Sequence, residues 1–458
     1  MCLRVDLLPD STRKFILKKI WICFACAAGL LPPVTAQNLL PSQVEIAPNA
    51  PAATLQLDEV VRLALERSPE VKASEAAIHA SQHRIAPART LPDPTVSAGW
   101  AGKLAPFVTM PGDASSYRGI TVSQQLPYPG KLRLQGELAA RDVDASRADC
   151  EAARRKIITD ATLVYAEYFY LDKAIEATRQ NKDLLEKLAA IAEAQYRVGK
   201  AMQQDVLRAQ VEISMLLEKQ ARLEEQRDEA VSSLNALLQQ APETTLPQPQ
   251  PLEARPLRYS LSELYAMANA NDSSLLRAQA VIERNKTALA LTTRQARPDL
   301  GVSYMFEQRT NQPAMNGVSL SISLPVFQKQ RQREAIAEAA ETLHSAEHMR
   351  ASQQNDVRAE VRRQYLAAQT AERLLTLYAK GIVPQASLAL ESAMAEYQVG
   401  KVDFVSLIAN FTSVLNYETD SYRQLADYNI AVARLESMTG QPVTVDPHTD
   451  LSAQKGAR

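Results

Sequence analysis

The sequence predicts a mainly α-helical fold with a small β part, in which long antiparallel coiled-coil helices accompany four strands that belong to a membrane β-barrel. Three observations predict it. The chain repeats itself once at a period of about 200 residues. Each repeat carries an uninterrupted helical pattern of ~70 residues, which at 1.5 Å per residue makes ~105 Å, far more than a globular domain needs. Each repeat also carries two short stretches in which apolar residues alternate with serine and other small or polar residues, the two-residue period of a strand.

Residues 1–36 read as an export signal: Arg13, Lys14, Lys18 and Lys19 precede an apolar stretch from Ile20 to Leu31, and Val34-Thr35-Ala36 offers a small-residue cleavage site. About a dozen apolar residues fall short of the ~20 that span a bilayer as a helix, which argues against the alternative of a short anchor. Cleavage leaves Cys150 as the sole cysteine, since Cys2, Cys23 and Cys26 lie in the signal, so no intramolecular disulfide is available. Lipid attachment at Cys26 is the lesser alternative, because Cys23 and Phe24 fit a lipoprotein cleavage site poorly.

A short extension, 37–54, leads into the first repeat, 55–240; a proline- and glutamine-rich linker, 241–256, separates it from the second, 257–440, and a tail, 441–458, follows. Leu57-Asp58-Glu59-Val60 recurs as Leu261-Ser262-Glu263-Leu264, Pro92-Asp93 as Pro298-Asp299, Leu126-Pro127 as Leu324-Pro325, and Tyr196-Arg197-Val198-Gly199-Lys200 as Tyr397-Gln398-Val399-Gly400-Lys401. Each repeat opens with helix, Leu57 to Arg89 with a break near Ser68-Pro69, and Leu261 to Ala296. Val96, Ala98 and Trp100, then Ile120 and Val122, alternate with small polar residues, and so do Val302, Tyr304 and Phe306, then Val318, Leu320, Ile322 and Leu324. Two hairpins are predicted. The long helices follow, Lys131 to Val198 and Gln328 to Val399, with Pro384 the only interior proline. Return helices run from Asp205 to Gln239 and from Asp403 to Thr439.

The return helices carry a four-three seam: Ala209, Ile213, Leu216, Gln220, Leu223, Arg227, Ala230, Leu234 and Leu237 in one, and Phe411, Leu415, Glu418, Tyr422, Leu425, Asn429 and Val432 in the other. Leu184, Leu188, Ile191, Gln195 and Val198 supply the same spacing on the outgoing side. Periodicity alone suits a secreted or periplasmic coiled-coil scaffold equally well. The strands decide against that alternative, since a soluble coiled coil has no use for paired alternating strands at matching places in both halves. No mature segment is apolar and long enough for a membrane helix, four strands cannot close a barrel, and an open edge is not tolerated in lipid. Several copies must therefore share one barrel, and three copies giving about twelve strands is the smallest solution with a water-filled lumen.

Lysine plus arginine number 51 against 52 acidic residues, so nothing in the charge points to nucleic acid. No phosphate loop, dinucleotide glycine pattern, zinc signature or nucleophile elbow is present, which excludes the common enzyme classes and implies no cofactor. An outer-membrane hydrolase is the weakest reading.

The duplicated order of helix, hairpin, long helix and return helix, with Tyr-x-Val-Gly at both tips, resembles the TolC family of outer-membrane efflux proteins over nearly the whole mature chain. Leu126-Pro127-Tyr128-Pro129-Gly130-Lys131 looks like the strand-to-helix junction of its heavy-metal efflux branch. The resemblance implies a passive homotrimeric exit duct in the outer membrane, a twelve-stranded barrel on a twelve-helix tunnel across the periplasm, docked to a periplasmic adaptor and an inner-membrane pump.

Candidate functional residues follow. Val198, Gly199, Lys200, Val399, Gly400 and Lys401 stand where outgoing helices end; glycine suits a left-handed cap and lysine the negative helix end, while the resemblance adds adaptor docking. Asp205 suits the start of a return helix as a cap. The resemblance implies a second role, a gate latch to Tyr397. The second half departs from the family pattern, with Val402 where the arginine of a second latch would fall and Val405 and Ile408 near the places of constriction aspartates; whether Asp403 compensates stays open. Ser319, Ser321 and Ser323 are expected to face the lumen. His79 with His83, and His344 with His348, have i, i+4 spacing that can chelate a metal, but without supporting ligands solvated helix faces are the better reading.

Overall fold

The computed structural model describes residues 54–102, 109–110, 113, 115–324 and 326–445. The export signal and its three cysteines, nearly all of the 37–54 extension, and the tail beyond 445 lie outside the described residues.

Helices α1 (Leu57–Arg67), α2 (Pro69–His83) and α3 (Ile85–Arg89) lead to strands β1 (Thr95–Ala101) and β2 (Tyr117–Leu126), then to α4 (Lys131–Arg197) and α5 (Gln203–Leu237). The second half repeats this with α6 (Leu261–Asn271), α7 (Ser273–Gln295), β3 (Asp299–Gln308), β4 (Met315–Ser323), α8 (Arg333–Leu377), α9 (Val383–Gln398) and α10 (Phe404–Thr439). Ser68 separates α1 from α2 and caps the latter by accepting the Val71 N–H at 3.3 Å. The single helix expected over Leu261 to Ala296 is broken at the matching place: Asp272 accepts from the N–H groups of Ser274 and Leu275 at 2.9 and 3.2 Å. With 67 residues, α4 is about 100 Å long. Its counterpart is interrupted by a π-helical turn, Tyr378–Ile382, just before Pro384, because proline removes one backbone donor and the ladder must widen there.

Three apolar cores hold the helices. Val60, Ala64, Tyr165, Leu171 and Leu234 form one; Leu264, Val361, Tyr428 and Leu435 form its counterpart; Leu185, Leu188, Phe404, Leu407 and Phe411 pack the paired hairpins toward their tips. The α5 seam falls as its spacing predicts, with Ala209, Leu216, Leu223, Ala230 and Leu234 buried and the positions between half-buried. On α4 the seam is shifted: Leu185, Leu188 and Ala192 are buried, while Leu184, Ile191 and Gln195 are half-buried and Val198 is exposed. Residues 241–256 run against the first core, where Leu55 forms a parallel bridge with Pro249 and the Tyr165 hydroxyl donates to the carbonyls of Leu55 and Gln250 at 2.8 and 3.1 Å.

The four strands form one antiparallel sheet in the order β1-β2-β3-β4, so β2 and β3 join the two halves and β1 and β4 are edges. Register places Val96, Val122, Tyr304 and Val318 in one row, with Gln124, Val302 and Leu320, then Leu126, Leu300 and Ile322, in the rows nearer the helices. These side chains share one face and the large apolar ones among them are exposed or half-buried. The other face carries Thr95, Ser97, Thr121, Ser123, Ser303, Ser319, Ser321 and Ser323. No helix among the described residues is long and apolar enough to cross a membrane. At the helix end of the sheet the buried Lys131 ammonium donates to Asp299 Oδ1 at 2.8 Å and to the Arg297 carbonyl at 2.9 Å, while Asp299 accepts the Tyr128 N–H at 2.7 Å. This knot pins the start of β3 to the junction between β2 and α4, so both halves join the sheet at one point.

Candidate functional site

The two helix tips are built alike. Gly199 and Gly400 have φ of +75° and +77°, a conformation that a side chain disfavours. At the first tip the Gly199 N–H donates to Tyr196 O at 2.9 Å and the Lys200 N–H to Gln195 O at 2.8 Å; at the second, Gly400 N–H reaches Tyr397 O at 3.0 Å and Lys401 N–H reaches Glu396 O at 2.9 Å. Both are Schellman caps, which satisfy the last helix carbonyls and throw the chain sharply back. The turn leaves Val198 and Val399 68% and 69% exposed. A methyl group built on either glycine meets nothing within 4 Å. Each tip is thus an unobstructed apolar knuckle followed by a lysine.

Gln195 ties the tips together, its amide donating to the carbonyls of Tyr397 and Gln398 at 3.4 Å each. This link depends on how the two halves pack, and no local pattern announces it. Asp205 is half-buried in the first turn of α5, where its carboxylate accepts the Met202 N–H at 3.3 Å. Tyr397 is buried at 5% exposure, its ring 5.4 Å from that of Phe404. Its hydroxyl has no hydrogen-bond partner. Burial first, and the nearby Asp205 charge second, push its phenol pKa up. The pair expected as a latch is thus brought close without a bond between its members. Asp403 caps α10 by accepting the Ser406 N–H at 2.7 Å, and its contacts with Ser406 hold its carboxyl below the usual range. Val405 is exposed, while Ile408 lies in the core.

Ser319, Ser321 and Ser323 lie on the polar face of β4. The Ser319 and Ser303 hydroxyls are 2.6 Å apart, and Ser321 donates to Gly301 O at 3.3 Å. The histidines remain apart from any such constellation: all four are exposed, His79 faces Gln82 at 3.3 Å and His344 faces Glu347 at 3.4 Å. Among the described residues no group of three or more His, Cys, Asp or Glu side chains is arranged to hold a metal.

A sheet with an exposed apolar face, carried on helical hairpins whose longest helix runs about 100 Å, defines an outer-membrane channel protein. The chain belongs to the outer membrane efflux protein family, whose sequence model matches residues 60–239 and 264–441, and thus to the TolC-type channels that the repeat resembles. Among solved structures, VceC of Vibrio cholerae is similar with a TM-score of 0.71 at 17% identity, covering 84% of this chain and 96% of VceC. The Campylobacter jejuni outer-membrane channel CmeC gives 0.71 at 13%, covering 93% and 97%, and the channel CusC 0.72 at 14%, covering 90% and 99%. At these identities the likeness concerns the fold. No curated protein matches significantly by sequence. The chain is an outer-membrane channel component of tripartite efflux systems, reaching into the periplasm, and not an enzyme.

Proposed function

We propose that three copies assemble into one passive duct, with the hairpin tips as the docking point for a periplasmic adaptor that links it to an inner-membrane pump. The observation that carries the trimer is the four-stranded sheet with two unpaired edges and an exposed apolar face. Unpaired edges are not tolerated in lipid, so β1 of one copy pairs with β4 of the next, and three copies give about twelve strands around a polar lumen lined by Ser319, Ser321 and Ser323. The docking proposal is supported by the duplicated Val-Gly-Lys knuckles, which present exposed valines with nothing packed over the glycines. Asp205 and Tyr397 are proposed as a latch at the same end, supported by their proximity. Extraction into detergent tests the assembly: a heat-resistant trimer that conducts ions in planar bilayers is expected, and recovery as a soluble periplasmic monomer sinks the proposal.

A further inference from the structure

The apolar face of the sheet changes character in its last row before the loops. Trp100 stands opposite Arg118, and Arg118 opposite Gln308, at the strand ends that point away from the helices. Arg118 is exposed and is the one charged side chain among the described residues of that face. The next rows hold Ala98, Ile120, Phe306 and the uncharged Asn316, then Val96, Val122, Tyr304 and Val318. Gln308 Oε1 accepts the Arg118 Nε hydrogen at 3.1 Å, which fixes one edge of the guanidinium. The nearest carboxylate on β3, that of Glu307, belongs to the opposite face and is buried, with Arg309 3.5 Å away.

Depth decides what this row meets. From Leu300 to Gln308 the strand covers about 27 Å, and a tilt near 40° reduces this to about 20 Å across the bilayer, close to the ~25 Å height of an outer-membrane apolar belt. The row therefore falls where hydrocarbon gives way to headgroups in the outer leaflet. A guanidinium is strongly disfavoured at mid-bilayer and nearly neutral at this boundary, where a tryptophan also belongs.

We infer that Arg118, flanked by Trp100, binds the phosphate of an anionic glycolipid in the outer leaflet. The planar fork of arginine matches phosphate oxygens two at a time, and no acidic side chain among the described residues of that face repels the anion. This inference rests on the reading of the chain as an outer-membrane channel and adds a lipid class to it.

The chain has two tryptophans, Trp21 in the export signal and Trp100, so the channel lacking residues 1–36 carries its own reporter at the site. The purified channel in phosphatidylcholine nanodiscs is titrated with bisphosphorylated lipid A, with the same lipid stripped of phosphate, or with inorganic phosphate. Expected is a saturating change in Trp100 fluorescence, half-complete at about fivefold lower content of the phosphorylated lipid, and no response to inorganic phosphate. Arg118→Gln should level the two lipids, and Arg118→Lys should retain part of the difference. Equal responses of the unsubstituted channel to both lipids, discrimination that survives Arg118→Gln, or an equal response to inorganic phosphate each overturns the site. Insertion and conductance in bilayers of phosphatidylcholine alone, which carry no anionic glycolipid, read on every variant, separate this outcome from failure of the channel itself.

Discussion

Asp205 and Tyr397, from different halves of the chain, lie near one another at the hairpin tips with no hydrogen bond between them. The carboxylate accepts the Met202 N–H at 3.3 Å, and the phenol oxygen is buried without a partner. Such an orphan oxygen costs about 1 to 3 kcal/mol, which a tip rearrangement that brought the carboxylate onto it would recover. A hydrogen bond to a charged acceptor contributes about 1.5 to 3 kcal/mol, and threefold symmetry repeats it.

Asp205→Ala and Tyr397→Phe are therefore both expected to raise single-channel conductance or sensitise cells to large antibiotics, without loss of trimer. A cap alone makes a different forecast: Asp205→Ala costs about 1 kcal/mol of stability, and Tyr397→Phe leaves conductance unchanged while relieving the cost of the orphan oxygen. A silent Tyr397→Phe channel would leave Asp205 as a helix cap.

At the tips, Gly199→Asp combined with Gly400→Asp should abolish efflux while the trimer still forms. The new side chains enter open space, so the cost to folding is backbone strain of about 1 to 2 kcal/mol at each position. Transport resistance that persists in the double variant would move docking elsewhere.

Single cysteines at Ser319, Leu320, Ser321 and Ile322 should label alternately with a water-soluble reagent, the serine positions reacting and the other two protected by lipid. Ser321→Leu should lower conductance more than insertion. Uniform labelling along the four positions would refute the assignment of faces.

Tyr165 and Tyr428 predict an alkaline transition. Burial pushes each phenol up to about 12, above the ordinary value near 10. With the folded value raised, their contribution is present in full below about pH 10 and is lost as pH rises through about 12. For Tyr165, this is on the order of 2 kcal/mol. Melting temperature in detergent should hold steady to about pH 10 and then fall, and Tyr165→Phe should reduce that dependence while costing about 1 kcal/mol at neutral pH. An identical alkaline fall in the Tyr165→Phe variant would remove the phenol from the account.

Much of the fold is legible in the sequence because long elements average over many weak preferences. The first long helix ends at Arg197 and its predecessor strands at Ala101 and Leu126, close to where periodicity places them, and the α5 seam is set by its own spacing alone. The α4 seam is not, because a 67-residue helix meets α2, α7, α5 and α10 in turn, and each partner claims a different face. The break at Asp272 had a readable signal, a short polar side chain followed by Ser273 and Ser274, a cap pattern masked by the apolar run around it. The Gln195 bridge and the Lys131 knot had none, since each joins side chains to a backbone more than 160 residues away. At the tips, sequence identifies the glycines, whereas the orphan phenol of Tyr397 emerges only from packing.

The edges of the sheet carry a genetic consequence. Under the proposed pairing of β1 with β4 of the next copy, a protomer whose β1 cannot pair spoils the neighbour that needs it, so every copy in an assembly holds a veto over the whole. In a cell making equal amounts of intact and edge-damaged chains that mix freely into threes, roughly one assembly in eight is wholly intact. Edge lesions should therefore act as dominant alleles, while lesions that stop a chain from folding before it meets its partners should be recessive.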